Sequence, residues 1–481
     1  MLRPRRRRRP TPGGVLPTHV STHRPDPCSG APSTPADPPQ RAGPIARRIA
    51  GKALPLYLSM LSTLIGSAVT AAVLGNTGTV ELAAYALVIA VFNPMIMVVH
   101  GTLRGSMPFF TENEDDPRAL APVLRDSLWL SLFLGIVGGL LILAVPVGAR
   151  LVGVAEPTVA VLGLYPLLMA GYVVLAAVKN ATTVLLVGLG HTRAVLALSL
   201  VSVAFSLVAT PTLVLGPGPL PALGLFGAGA SMLAMNVVTV GLNFAVVRRG
   251  TILRGHPIGF GAPRWAGISR MARVGLPTGS TLLIKSGSLS VLAVVVARIG
   301  PEEAAVHQVA VVLVGMAFIS FVGVGQATVP FTVRAAGARD RALVVRTVLA
   351  SYLVSLPVML VSGALLWWAA GPLVWLFTDD PGVHAGVVAL VPLLCLVGAF
   401  DALQSAPNSG LLGLKDTRPA MYAFALGYGT LVLASVPLVE HGGLTALWGA
   451  NAGATAFLVA AQWFSFLRMS RRVAPDPEAP A

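Results

Sequence analysis

LPLYLSMLSTLIGSAVTAAVL, Leu54 to Leu74, runs twenty-one residues without a charged side chain. As a helix rising ~1.5 Å per residue it reaches about 31 Å, enough to cross a hydrocarbon core ~30 Å thick. LPTGSTLLIKSGSLSVLAVVV, Leu276 to Val296, opens on the same Leu-Pro pair 222 residues later. The same offset relates Gly78 to Gly300, Ala83 to Ala305, Gly101 to Gly323 and Pro108 to Pro330. Farther on, APVLR ending at Arg125 matches ALVVR ending at Arg346, and GLGHTR ending at Arg193 matches GLKDTR ending at Arg418, at offsets of 221 and 225. Shared order at a nearly constant offset predicts two six-helix bundles of like topology, related by an axis along the membrane normal.

The rest of the chain fits this reading. Of 481 residues 55% are hydrophobic and 11% charged, and the mean hydropathy is +0.77, whereas soluble domains carry about 25% charged residues. Twelve spans are predicted, at 54–74, 82–103, 128–147, 159–186, 195–215, 223–247, 276–296, 304–329, 348–377, 383–412, 421–439 and 447–467, separated by short breaks such as TENEDDPR, GPGPLP and TDDPG. The fold class is therefore an all-α integral membrane protein. With the N-terminus placed in the cytoplasm, eighteen loop lysines and arginines between Arg118 and Arg472 fall inside, and only Arg150 and Arg298 fall outside. That bias predicts a multi-pass protein of the plasma membrane with both termini cytoplasmic.

Of the net charge of +15, residues 1–48 supply +8, from ten arginines against Asp26 and Asp37. The basic balance thus needs no nucleic acid to explain it. This Arg/Pro-rich stretch, which begins MLRPRRRRRPTPGG, has a disordered composition without a signal peptide's apolar segment. It reads either as a polybasic contact to anionic lipid or as biased coding and a misplaced start. The remaining divisions are an N-terminal lobe at 49–250, a basic cytoplasmic linker at 251–273, a C-terminal lobe at 274–468 and a tail at 469–481. Cys28 and Cys395 have no plausible pairing geometry and support neither a disulfide framework nor a metal site.

Five stretches carry a resemblance: LGNTGTVELAAYAL from Leu74, RIGPEEAAVHQVAV from Arg298, VGVGQATVPFTVRAAGARD from Val322, LFTDDPGV from Leu376 and SGLLGLKDTRPAM from Ser409. In order and spacing, from Leu54 to about Leu467, the chain resembles the multidrug and toxic-compound extrusion (MATE) family. The resemblance implies a V-shaped pair of lobes that exports small organic, often cationic, compounds in exchange for protons or sodium. No cofactor is expected beyond the ion gradient, and a monomer in contact with membrane lipids is expected.

Ionisable groups deep in a span default to functional candidates. Asp401, in VGAFDALQSAPNSG of the tenth span, resembles an acidic position that the family uses for cation coupling. A carboxylate in an apolar lobe can gain and lose a proton as its surroundings change. Gln404, Ser405 and Asn408 follow it at helical positions as cavity candidates. Lys285 of the seventh span stands where sodium-coupled members have a glutamate. A Lys285–Asp401 pair would offset the desolvation of both groups, as a proton-sensitive switch or as a permanent bridge. In the N-terminal half, Thr70 stands where many bacterial relatives have aspartate, and Ser206 and Thr210 where proton-coupled ones show asparagine and aspartate. Their hydroxyls line a polar cavity or bond backbone carbonyls.

Lys179 and Asn180 of the fourth span align by the repeat with Gln404 and Ser405. Lys179 either selects anionic cargo or snorkels towards the cytoplasmic end, and snorkelling is the expected role. His307 is expected as a hydrogen-bonded packing residue near the cavity. Phe92, Met95, Met97, Met107, Phe109 and Phe110 could form an adaptable drug-binding wall. The competing readings are a lipid-linked saccharide flippase, against which the scarcity of deep arginines apart from Arg104 counts, and an intramembrane enzyme, for which no nucleophile–base pair or ligand set is seen. A channel would need a filter-like loop that the sequence lacks.

Overall fold

In a computed structural model, residues 42–75, 79–216, 221–249, 259–375 and 379–473 are described. The expectations for residues 1–41, 250–258 and 474–481 lie outside them. The described residues form helices and no strand: α1 Ala42–Gly75, α2 Thr79–Arg104, α3 Met107–Glu112, α4 Pro117–Leu143, α5 Val145–Val152, α6 Glu156–Val161, α7 Tyr165–Gly188, α8 Thr192–Leu215, α9 Gly224–Arg249, α10 Trp265–Val296, α11 Pro301–Gly337, α12 Arg341–Val374, α13 Pro381–Gly413 and α14 Arg418–Ser470. Local chemistry explains several starts. Asp116 and Asp380 each precede a proline and accept hydrogen bonds from the freed amides of the first turn, and Asp340 caps α12 in the same way.

Eleven helices are long and apolar enough to cross a membrane. α14 has 53 residues, about 80 Å if straight, and Gly443 breaks it with φ 58° and ψ −153°. A Cβ built on Gly427 would lie 3.3 Å from Phe457 and 3.6 Å from Leu458, contacts that residues thirty positions apart make only if the helix folds back on itself. α14 is therefore a hairpin of two crossings, and the twelve predicted spans are present.

Two boundaries differ from the sequence reading. α1 begins at Ala42, inside the segment read as tail, because Pro44 lies in the first turn, where its missing N–H costs nothing. α10 begins at Trp265, so the basic stretch after Arg264 is helix rather than linker.

α1 to α9 form one lobe and α10 to α14 the other. The lobes meet chiefly along two joints, α2 against α10 and α1 against α11 and α12, flanked by α3 against α11 and α4 against α10. The repeat makes α10 the counterpart of α1 and α11 that of α2, so the two joints exchange under it. The first is a backbone contact. Gly101 on α2 and Gly105 just past its end face Gly279 and Gly275 on α10, and added Cβ atoms at Gly101 and Gly105 would lie 2.7 and 2.3 Å from the opposing Cα atoms. Small residues spaced by four let membrane helices approach this closely.

The largest core cluster draws on both lobes, but only from the ends nearest the start of α1, such as Ile49, Leu103, Leu185, Met271 and Val329. The clusters towards the other face each belong to one lobe. The two halves are thus joined at the face where α1 begins, here the N-terminal face, and part towards the opposite one. Apolar side chains left bare on the flanks, such as Trp368 and Leu433 at 84% exposure each, suit contact with lipid.

Candidate functional site

α10 and α13 bring Lys285 and Asp401 together in the middle of the C-terminal lobe. The ammonium donates to both carboxylate oxygens, at 2.7 and 2.8 Å, and the Asp401 side chain is 1% exposed. Lys285 Nζ also lies 4.0 Å from the centre of the Phe318 ring of α11, and Tyr428 of α14 faces the pair. The ion pair foreseen from sequence is formed. Phe318 and Tyr428, which enclose it, carried no signal that an apolar span could reveal.

Pro407 shapes α13 beside the pair. It removes the amide that would have bonded the Leu403 carbonyl. Tyr352 of α12 donates its hydroxyl to that carbonyl at 2.6 Å, and Trp463 Nε1 of α14 donates to Tyr352 at 2.7 Å. Tyr352→Phe leaves two part-buried groups without this partner, so it is expected to cost about 1 kcal/mol, read as a lower thermal unfolding midpoint in detergent. An unchanged midpoint would show that another donor reaches Leu403.

The other candidates do not join this centre. Gln404 is buried on α13, Ser405 turns its hydroxyl to the Ala402 carbonyl at 2.8 Å, and Asn408 is partly exposed a turn farther on. In the N-terminal lobe Thr70 bonds the Gly66 carbonyl at 3.2 Å. Ser206, Thr210 and Ser231 form a buried hydroxyl chain at 3.4 and 3.1 Å that ends on the Ala228 carbonyl. His307 is 1% exposed, packs on Trp448 at 5.6 Å between ring centres, and lies beside the backbone of Leu289.

Lys179 lies near His100 of α2, one turn from the end of that helix, and the Asn180 Nδ2 beside it is buried without a partner. Of the proposed aromatic and methionine wall, Met107, Phe109 and Phe110 are core of the N-terminal face, while Phe92 packs on Tyr172, 5.4 Å between centres.

Sequence reasoning missed the closure of the N-terminal face. Three ion pairs cross it, each joining an acid of the first lobe to a base on the second side. Arg264 grips Asp126 through two bonds at 3.2 and 2.6 Å, Arg334 grips Glu114 through two at 2.6 Å, and Lys415 pairs with Glu112. Among the described residues, every hydrogen bond and ion pair between lobes lies on this face.

Two six-helix lobes repeated in sequence, joined at one face and holding a buried ion pair, have the architecture of a polytopic membrane transporter. The MatE family model matches residues 55–212 and again 277–437, two starts separated by the same 222 residues as the Leu-Pro repeat. The chain belongs to the MatE family of multidrug and toxic-compound extrusion transporters. It is 30% identical over 427 residues to a probable multidrug resistance protein NorM of Deinococcus radiodurans, covering 85% of this chain and 91% of the relative. A protein of the same description from Aromatoleum aromaticum is 27% identical over 414 residues, covering 83% and 87%. Among solved structures, an outward-facing multidrug resistance MATE transporter superposes with a TM-score of 0.78 at 19% identity, covering 90% of this chain and 96% of the other. A MOP-superfamily transporter from Pyrococcus furiosus superposes at 0.77 with 19% identity, covering 90% and 96%. At such identity the superpositions speak for the fold alone.

Proposed function

We propose that this protein exports drug-like or self-made toxic organic compounds across the plasma membrane by proton antiport, with Asp401 and Lys285 as the coupling pair. The observation that carries the reading is the two-pronged ion pair itself. Asp401 is the one acid in the middle of the membrane-spanning helices among the described residues, and both of its oxygens are engaged by an ammonium. A sodium ion would have to displace that ammonium. A proton only has to neutralise the carboxylate, after which Lys285 is a cation without a counter-charge and α10 and α13 repack.

With the N-terminal face taken as cytoplasmic from the loop-charge bias, the conformation described is closed inward. Export then requires the three crossing ion pairs to break and the lobes to rock, giving a single site alternating access. The work falls to a monomer surrounded by lipid, and the resemblance implies positively charged cargo.

The test is efflux of ethidium from proteoliposomes under a pH gradient or a sodium gradient. Wild type is expected to respond to the pH gradient alone. Efflux driven by sodium with Lys285 intact would overturn the proton reading.

A further inference from the structure

α2 presents His100 and Arg104 one turn apart on one face, and α7, packed against α2, brings Lys179 within electrostatic reach of His100. This cluster lies where the lobes meet. With the Gln326 amide turned to accept, its oxygen on α11 receives Arg104 Nε at 3.2 Å and Nη2 at 2.8 Å. Lys179 and the His100 ring have no hydrogen-bond or ion-pair partner among the described residues.

Among the described residues, no acid lies beside these cations. α1, α7, α8 and α9 contain no acidic residue at all, nor do α10 and α12. Glu81 sits in the first turn of α2, about 34 Å along the helix from Arg104. Glu112, Glu114 and Asp126 each hold a base of the opposite lobe, and Asp401 holds Lys285. A charge at membrane depth without a partner is costly, and it persists where a ligand completes it.

We propose that His100, Arg104 and Lys179 form the recognition site for an oxyanion, a carboxylate or phosphate-type group, carried by the exported compound. The cargo is then a zwitterion, an organic cation that also bears an oxyanion, which deepens the export reading above and rests on it. The planar guanidinium fork of Arg104 can bond two oxygens side by side, Lys179 supplies a point charge, and the unpartnered Asn180 Nδ2 supplies a neutral donor. Arg104 also bridges the lobes through Gln326, so an oxyanion that draws the guanidinium away loosens the joint that must open inward.

The test compares rhodamine B, which carries a carboxylate, with its ethyl ester, which does not, by fluorescence anisotropy on the purified full-length protein in detergent. Wild type is expected to bind the acid at least tenfold more tightly than the ester. Lys179→Gln is expected to lose that preference while binding the ester unchanged, and Lys179→Arg to restore it. Equal affinity of wild type for the two probes overturns the proposal even if the variants fail to fold, as does Lys179→Gln weakening both probes alike. A parallel arm follows fluorescent phosphatidylglycerol across proteoliposome bilayers. Movement of that lipid that depends on Lys179, without an acid preference for rhodamine, assigns the oxyanion to a lipid headgroup and overturns zwitterionic cargo. Because the anisotropy titration needs no gradient, failed ethidium efflux would strike the antiport reading and leave this one standing.

Discussion

Lys285→Ala is expected to destabilise the protein by about 3–5 kcal/mol, because it leaves the Asp401 carboxylate buried at 1% exposure with neither of its two bonds to the ammonium. Asp401→Asn, which strands Lys285 instead, should fall in the same range and should also abolish efflux driven by the pH gradient. The informative variant is the double replacement Lys285→Met with Asp401→Leu. Apolar residues of similar volume remove both charges and their desolvation cost together, so thermal stability should return to wild type or above. A pair that serves only as a bridge would then leave transport intact, whereas a coupling pair leaves a stable protein with no gradient-driven efflux. Full transport by the double variant would end the coupling proposal.

A second large effect is expected at the crossing of α2 and α10. A Cβ on Gly275 would lie 2.1 Å from the carbonyl oxygen of Thr102 and 2.9 Å from its carbon. Neither atom belongs to a side chain that can swing aside, so the helices must part. Overpacking of this kind costs about 1–3 kcal/mol, and here the cost falls on the closed conformation alone. Gly275→Ala should therefore favour opening of the N-terminal face and slow transport about tenfold. In a background lacking Cys28 and Cys395, Ser106→Cys reports on this. Ser106 is fully buried between α2, α4 and α10, so a membrane-impermeant maleimide should label it in Gly275→Ala and not in the parent. Gly287→Ala on the same helix, where a Cβ would meet nothing within 4 Å, should leave both readouts unchanged.

Much of this architecture was legible because lipid as a solvent writes plainly into sequence. Long uncharged runs give the crossings, and the Leu-Pro repeat gives the two lobes. Lys285 and Asp401 could be paired before any coordinates because opposite charges in apolar spans have few places to go. What escaped notice depends on which helix faces which. The glycines at 101, 105, 275 and 279 show the four-residue spacing of a close crossing, yet nothing in either segment names the other as partner. That Lys179 neighbours His100 could not be read either, because α2 and α7 lie far apart in sequence. The bases that meet Glu112, Glu114 and Asp126 are 303, 220 and 138 residues distant, beyond any local pattern.

The Lys285–Asp401 pair is electrically neutral as a unit. On the proposed coupling, the lobe that accepts a proton becomes a single positive charge inside a thin insulating layer, and the empty lobe carries none. The two halves of the cycle then differ in how they feel the voltage across the membrane, by as much as about 2.3 kcal/mol per 100 mV for a charge that traverses the whole field. A cell's resting potential, negative inside, would pull the protonated lobe towards the cytoplasm. For a zwitterionic cargo without net charge, voltage alone, with no difference in pH, would then turn the cycle.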